Sequence, residues 1–121
     1  MARDVDLDYT GDLTIGNGVA MSEGVKILTH GHDHLGLQDE NIVANDGHRT
    51  YMTPLTIGDN VLIYARCLIM PGVNSIGENS IISAGSIVYH EVPANVVVAG
   101  DPAKVVAKIK HQRVDYRYTK S

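Results

Sequence analysis

The sequence predicts an all-β domain, a solenoid in which the coiled chain forms flat sides of six residues each. Over residues 56–93 an aliphatic residue returns every six positions, with one extra residue at Asn74-Ser75: Ile57, Ile63, Ile69, Ile76, Ile82 and Val88. Four positions after each of these stands a small or β-branched residue: Val61, Cys67, Val73, Ser80, Ser86 and Val92. A period of six fits neither a helix nor a plain strand, and short fixed repeats are typical of solenoids. Three such units would form one turn of a triangular prism with the aliphatic side chains inside.

The same period is present near the N-terminus. The residues in phase there are Tyr9, Ile15, Met21 and Ile27, and Leu13, Val19 and Val25 stand four positions after the first three. Glycine at positions 16, 18 and 24 fits sharp corners, where a side chain would crowd the bend.

The repeat stops after Ile27. Continuing its phase would bury Asp33, Asp39 and Asn45, which is too costly for polar groups without partners. We therefore predict that residues 32–54 form a protruding loop outside the solenoid. Loops of this length in a small domain are usually functional or disordered.

The C-terminal segment carries the signals of a helix start. Asp101 fits an N-cap and Pro102 the first helical position, so we predict a short helix from Pro102 to about Lys110 that caps the last coil. The segment 102–121 is also basic, with six of the ten Lys and Arg residues: Lys104, Lys108, Lys110, Arg113, Arg117 and Lys120. This charge fits either a solvated terminus or a binding site for a phosphorylated partner.

Composition limits the function classes. A chain of 121 residues predicts a single domain over residues 1–121, and a formal net charge of −4 argues against nucleic acid as a partner. No apolar run approaches the roughly 18 residues of a membrane span, and no signal peptide is visible. Cys67 is the lone cysteine, which excludes an internal disulfide and predicts a cytoplasmic location. Its place in a small-residue position of the repeat predicts a buried thiol without a nucleophilic role.

Five motifs together carry a family resemblance: VKILTHGHDH, TIGDNVLI, IMPGV, IGENSIISAGSIV and EVPANVVVAGDPAKVV. They resemble the hexapeptide-repeat acyltransferases, and within them the maltose and galactoside O-acetyltransferases and the sugar O-acetyltransferases of capsule and lipopolysaccharide synthesis. The resemblance covers about residues 9–110. It implies a left-handed parallel β-helix, a homotrimer, and acetyl-CoA bound as acyl donor between neighbouring subunits.

The resemblance also implies roles for particular residues. The catalytic base of the family is a histidine just after a coil, at the start of a long loop, which corresponds to His32, with His30 as the second candidate. Contacts with CoA are implied for Ala65, Ala84, Tyr89, His90 and Lys104. The acceptor implied is a sugar hydroxyl, and a sugar amine or a small alcohol stays open. Leu62 stands where many relatives have Trp.

His30, His32 and His34 alternate, and in an extended strand all three would share one side. A neutral imidazole with a pKa near 6.5 suits a general base near neutral pH, and a thioester needs no enzyme nucleophile. Three alternatives stay open at this point. These histidines could be surface residues without a role, or ligands of a metal as in β-helical carbonic anhydrases, although one strand does not easily supply three ligands to one ion. The solenoid could also be a non-catalytic assembly module.

Overall fold

A computed structural model describes residues 5–33, 43–45, 48–110 and 113–115, and these residues form strands and turns without a helix. Most strands have only two or three residues, as flat sides of six residues require. In chain order they are β1 (Asp6–Leu7), β2 (Leu13–Ile15), β3 (Ala20–Met21), β4 (Lys26–Ile27), β5 (His30–Asp33), β6 (Val43–Asn45), β7 (His48–Met52), β8 (Leu55–Ile57), β9 (Leu62–Ile63), β10 (Leu68–Ile69), β11 (Ser75–Ile76), β12 (Ile81–Ile82), β13 (Ile87–Val88), β14 (Val96–Gly100), β15 (Ala103–Lys110) and β16 (Arg113–Asp115).

The chain visits three sheets in rotation. Sheet A contains β1, β4, β10 and β13, sheet B contains β2, β8 and β11, and sheet C contains β3, β9, β12 and β14. All pairs among these strands are parallel. Each return to a sheet therefore places a new strand beside the previous one, about 4.8 Å away. This rotation creates three stacked corners, which we call AB, BC and CA after the sheets that they join.

The in-phase residues stack on one another inside this arrangement, as the repeat predicts. Ile57, Ile63, Ile69, Ile76, Ile82 and Val88 are at most 1% exposed, and the second column from Val61 to Val92 is buried too. Two members of that column are serines, which need hydrogen-bond partners at zero exposure. Ser80 Oγ donates to the Pro93 carbonyl at 2.6 Å, and Ser86 Oγ donates to the Ser83 carbonyl at 2.6 Å.

The corners force the backbone into the left-handed region. At the BC corner Asn60, Asn79 and Asn95 all have φ of 60°, and Asn79 Nδ2 donates to Asn95 Oδ1 at 3.2 Å. Asparagine tolerates this conformation better than other residues with a side chain. At the CA corner the corresponding residues are Gly24, Arg66 and Gly85, with φ of 78°, 61° and 74°. Arginine there is disfavoured by roughly 1–2 kcal/mol.

The prediction that Tyr9 continues the inward column is wrong, because its side chain is 65% exposed. Leu7 takes that place and pairs with Ile27 in sheet A. Ile15 follows Leu7 by eight positions, so the first AB corner holds two residues more than a strict repeat allows. This longer corner contains Asp8, whose role is described below.

The excursion at residues 32–54 is not a plain loop. Strands β5, β7 and β6 form an antiparallel sheet in that order, sheet D, and β5 already begins at His30. Residues 34–42 and 46–47 lie outside the described residues, as does the side chain of every residue from His32 to Tyr51.

The predicted C-terminal helix is wrong, and the segment forms strand β15, antiparallel to β14. Val105, Val106 and Ile109 are β-branched, which favours a strand, and the free edge of β14 offers a full ladder of hydrogen bonds. Asp101 and Pro102 make the turn between the two strands instead of starting a helix. Strand β15 covers the last coil and so takes over the capping role. Lys104, Lys108 and Lys110 lie exposed on it, and β16 pairs with its outer edge.

Candidate active site

The AB corner brings Asp8 next to His30. Asp8 follows β1 and His30 begins β5, twenty-two positions later in the sequence. Parallel pairing of β1 with β4 stacks the two exits from sheet A, and the Asp8 N–H donates to the Ile27 carbonyl at 3.0 Å. The stacking of neighbouring coils therefore places a carboxylate directly beside the first histidine of β5.

The Asp8 carboxylate is surrounded by donors. Its Oδ2 atom accepts a hydrogen bond from the Thr29 N–H at 2.9 Å and lies 2.5 Å from His30 Nδ1, while Oδ1 accepts from the Thr10 N–H at 2.9 Å. The side chains of His30 and Asp8 are 28% and 14% exposed. Partial burial raises the pKa of Asp8, but the hydrogen bonds from Thr10, Thr29 and His30 outweigh it and hold the pKa well below its usual range. Asp8 is therefore ionised at neutral pH.

Thr29 holds the backbone of this corner in place through hydrogen bonds. It is fully buried, its hydroxyl donates to the Asp8 carbonyl at 2.8 Å, and the same oxygen accepts from the Gly11 N–H at 2.9 Å. The Thr29 carbonyl accepts from the Thr53 N–H at 2.8 Å. Gly11 allows this close approach, since a Cβ there would lie 2.6 Å from the Thr29 carbonyl oxygen. The backbone before His30 is thus held on both sides.

This arrangement determines what the His30 ring can do. An ionised carboxylate only accepts, so a neutral His30 bonds to it through Nδ1–H and keeps the lone pair on Nε2. A histidine whose tautomer is fixed by an ionised carboxylate is a common arrangement for a general base. Thr53 Oγ1 in the same corner is buried and has no hydrogen-bond partner among the described residues.

His32, the first candidate for the base, lies in β5 opposite Thr50 of β7. The structure describes its backbone, and its side chain lies outside what is described, as does all of His34. Within the described residues no group of three or more His, Cys, Asp or Glu side chains could hold a metal ion.

Two of the predicted coenzyme residues meet at the CA corner. Ala65 and Ala84 occupy equivalent positions in neighbouring coils, and the Gly85 N–H donates to the Ala65 carbonyl at 2.9 Å. Ala84 is exposed and Ala65 half-buried. Lys104, in β15, pairs with Ala99 near the end of β14, so it lies beyond Ala84 in the direction of the last coil.

Tyr89 and His90 lie apart from those residues. They follow β13 at the AB corner, whereas Ala84 precedes β13 at the CA corner. Tyr89 and His90 are both exposed. They share the AB corner with Asp8 and His30, with the coil of Met70 in between, as the bonds from Leu28 N to Ile69 O and from Met70 N to Val88 O show.

Asp8 and Thr29 were not predicted as site residues. The six-residue phase aligns Tyr9 with Ile27, and only the pairing of Leu7 with Ile27 in the structure brings Asp8 beside His30. Cys67 is buried, as predicted: it is 1% exposed, and its thiol donates to the Ser83 carbonyl at 3.0 Å. Burial raises the pKa of this thiol. The described residues contain no helix long and apolar enough to cross a membrane.

Comparison with known proteins identifies the repeat. Residues 54–90 match the family model described as the hexapeptide repeat of succinyl-transferase. Galactoside O-acetyltransferase of Escherichia coli K12 is 39% identical over 112 residues, which cover 92% of this chain and 50% of that protein. The putative colanic acid biosynthesis acetyltransferase WcaF of the same organism is 33% identical over 103 residues, 85% of this chain and 51% of that protein.

Solved structures of acetyltransferases are similar to this chain in fold. A galactoside acetyltransferase in complex with coenzyme A superimposes with a TM-score of 0.72 at 37% identity, covering 88% of this chain and 50% of that one. A maltose O-acetyltransferase from Clostridium difficile 630 gives a TM-score of 0.69 at 28% identity, covering 91% of this chain and 66% of that one. The chain spans about half the length of the curated relatives it matches. By sequence and by structure it is thus a relative of the hexapeptide-repeat acyltransferases, as its motifs predicted.

Proposed function

We propose that this protein transfers an acetyl group from acetyl-CoA to a hydroxyl group of a sugar or a similar small acceptor. Support comes from the galactoside and maltose O-acetyltransferases among its relatives and from the coenzyme A complex of one of them. The rotation through three parallel sheets supports a left-handed parallel β-helix, the fold that the resemblance implies. A cytoplasmic location stays a prediction from the lone Cys67.

The observation that carries the proposal is the His30 ring held against an ionised Asp8. In the reaction, a neutral histidine takes the proton of the acceptor hydroxyl while its oxygen attacks the acetyl carbonyl. The carbon–sulfur bond of the resulting tetrahedral intermediate then breaks. The departing thiolate of CoA takes the proton from the imidazolium, and the base is neutral again.

Two histidines of β5 compete for the role of base. The register of the family motif selects His32, and this assignment leaves His30 to orient the site or to contact the acceptor. The contact with Asp8 supports His30, because the carboxylate fixes the tautomer and the orientation of its ring. Replacing each histidine separately distinguishes these assignments.

For the coenzyme, Ala65 and Ala84 form a column of small side chains at the CA corner that leaves the backbone open to a long, thin ligand. Lys104 lies beyond this column, where its charge suits the phosphates of CoA. Tyr89 and His90, also implied by the resemblance, lie at the AB corner. Within one protomer, therefore, the two groups of coenzyme residues lie at opposite ends of the strands of sheet A.

A homotrimer would bring these corners together. Apart from the exposed Asp6 and Lys26 on its first two strands, the outer face of sheet A is apolar, with Leu28, Leu68, Met70 and Ile87 all half-buried. Packing this face against a neighbouring copy in a closed three-fold ring would place the AB corner of one subunit near the CA corner of the next. Sedimentation should show a trimer, and a stable monomer at micromolar concentration contradicts this arrangement.

The test of function is an acetyl-CoA assay that detects released thiol with a panel of sugar acceptors. With His32 as base, His32→Ala lowers kcat by roughly 10²–10⁴-fold and His30→Ala costs less, while CoA affinity changes little in both. If His30→Ala is the inactive variant and His32→Ala is active, the base is His30. If both variants keep full turnover, or a chelator abolishes activity and Zn²⁺ restores it, the proposed chemistry is wrong.

A further inference from the structure

Arg66 occupies a backbone position that does not suit arginine. Its φ is 61°, in the left-handed region that favours residues without a Cβ. All other positive-φ positions in the described ranges hold glycine or asparagine. Backbone strain of this kind persists where the surrounding structure enforces it, and it is concentrated at functional sites.

The side chain of Arg66 lies across the neighbouring coil. A Cβ built on Gly24 would come within 3.2 Å of Arg66 Cγ, so the absent side chain of Gly24 makes room for the arginine stem. The Arg66 N–H donates to the Glu23 carbonyl at 2.9 Å, which fixes the start of the side chain. Arg66 is exposed, and within the described part of the chain no carboxylate forms an ion pair with it.

Arg66 and Lys104 lie at opposite ends of one column. Along the CA corner the coils follow in the order Gly24, Ala65, Ala84, and then Gly100, whose N–H donates to Ser86 Oγ at 3.2 Å. Lys104 lies beside that last level, because β15 pairs with β14. The Arg66 stem extends the other way, towards Gly24 and the first coils.

The position of Arg66 has a consequence that rests on the proposed function. If CoA lies along Ala65 and Ala84 with its phosphates at Lys104, its acetyl end points towards Arg66. The acceptor must approach that end, since its hydroxyl attacks the acetyl carbon. A guanidinium there presents a planar fork of donors that fits a carboxylate or a phosphate group.

We propose that the acceptor is an anionic saccharide, carrying a carboxylate or a phosphate, and that Arg66 binds this group. The protein is acidic, with a formal net charge of −4, so an anionic acceptor needs a specific cation to offset the general repulsion. Arg66 supplies that cation without forming a described ion pair of its own.

The experiment compares a hexose, its uronic acid and its 6-phosphate as acceptors at saturating acetyl-CoA. The wild type should prefer one of the two anionic sugars in kcat/KM by about tenfold to a hundredfold, and the pair distinguishes carboxylate from phosphate. Arg66→Asn should remove this preference, and Arg66→Lys should keep only part of it. Lys110→Asn removes an exposed charge near the BC corner, away from Arg66 and from sheet A, and serves as the matched control with an unchanged preference.

A second readout separates recognition from folding. Arg66→Asn should raise Tm by a few degrees, because asparagine suits the left-handed region better than arginine does. Calorimetric binding of the preferred anionic sugar in the presence of CoA should weaken in Arg66→Asn, which tests recognition even when none of the three sugars is turned over.

Three results would overturn the proposal. The wild type could show neither a preference for anionic sugars nor binding of them, or the preference could survive in Arg66→Asn. A raised KM for acetyl-CoA in Arg66→Asn would assign Arg66 to the coenzyme instead. Failure of the proposed function looks different, because the protein would then not bind CoA at all.

Discussion

Asp8→Asn tests the hydrogen-bond network at the AB corner directly. The carboxylate accepts from three groups, the N–H groups of Thr10 and Thr29 and His30 Nδ1, whereas an asparagine has one acceptor oxygen and one donating amide. The favourable orientation turns the oxygen towards Thr29 and His30, because Thr29 is buried and Thr10 is exposed and can bond to water. The amide then faces the Thr10 N–H, and that hydrogen bond is lost.

The magnitude follows from this change. Hydrogen bonds to a charged group contribute about 1.5–3 kcal/mol each, and neutral ones about 0.5–1.5 kcal/mol. Weakening two bonds and exchanging the third for water predicts that Asp8→Asn lowers the free energy of unfolding by about 1–3 kcal/mol at pH 7. Urea unfolding at a fixed protein concentration measures it, since association makes stability concentration-dependent.

The pH dependence has a defined sign. Folding lowers the pKa of Asp8 below its ordinary value of 3.8. The ionised carboxylate therefore stabilises the fold fully above that value, and this contribution is lost as the pH falls below 3.8 towards the folded-state pKa. The difference between wild type and Asp8→Asn should therefore shrink as the pH falls below 3.8.

Asp6→Asn is the matched control, because Asp6 lies exposed on the same coil and loses the same charge. It should change the free energy of unfolding by less than about 0.5 kcal/mol. Equal unfolding curves for the Asp8 and Asp6 variants would refute the network, as would a difference that grows as the pH falls below 3.8.

Three further predictions concern the rest of the molecule. Lys104→Ala should weaken CoA binding about fivefold at low salt, less at high salt and less for dephospho-CoA, by calorimetric titration; equal affinities for both proteins at low salt contradict a coenzyme role. Asn79→Ala should lower the free energy of unfolding by roughly 1–2 kcal/mol, because alanine is strained at a φ of 60° and cannot bond to Asn95, while Asn79→Gly should cost less; the reverse order in urea would argue against this corner conformation. The Cys67 thiol should react with a disulfide reagent only once urea unfolds the protein, because it is buried and its pKa is raised; rapid labelling of the native protein would contradict the burial.

The buried columns were predictable from the sequence because every inward position carries the same physical demand. Ile57, Ile63 and Ile69 must be apolar, and Val61 and Cys67 must be small, so the repeat is visible without any structure. Even the extra residue at Asn74-Ser75 is visible, since the phase resumes at Ile76. The prediction for the first coil was wrong because its AB corner holds two extra residues. These put Tyr9 in phase with the buried residues, although Leu7 takes the inward position.

The wrong prediction of a C-terminal helix has a different cause. Asp101-Pro102 is compatible with a helix start and with a tight turn, and local sequence does not choose between them. The choice depends on the open edge of β14, a partner that exists only after the solenoid has formed. The β-branched side chains of Val105 and Val106 favour a strand, which is what the segment forms.

The candidate site was least predictable because it lies at corners. The repeat determines the backbone of a corner, since the left-handed positions 60, 66 and 72, and then 79 and 85, are six residues apart, but an exposed corner side chain is not selected by core packing. Asp8 lies in the one AB corner with two extra residues, and Arg66 takes a position that glycine holds in the neighbouring coils. Only the stacking of coils shows that Asp8 lies beside His30 and Arg66 across Gly24. In a solenoid of this kind, then, a polar or charged residue at a corner that departs from the glycine and asparagine of its neighbours is the first place to look for function.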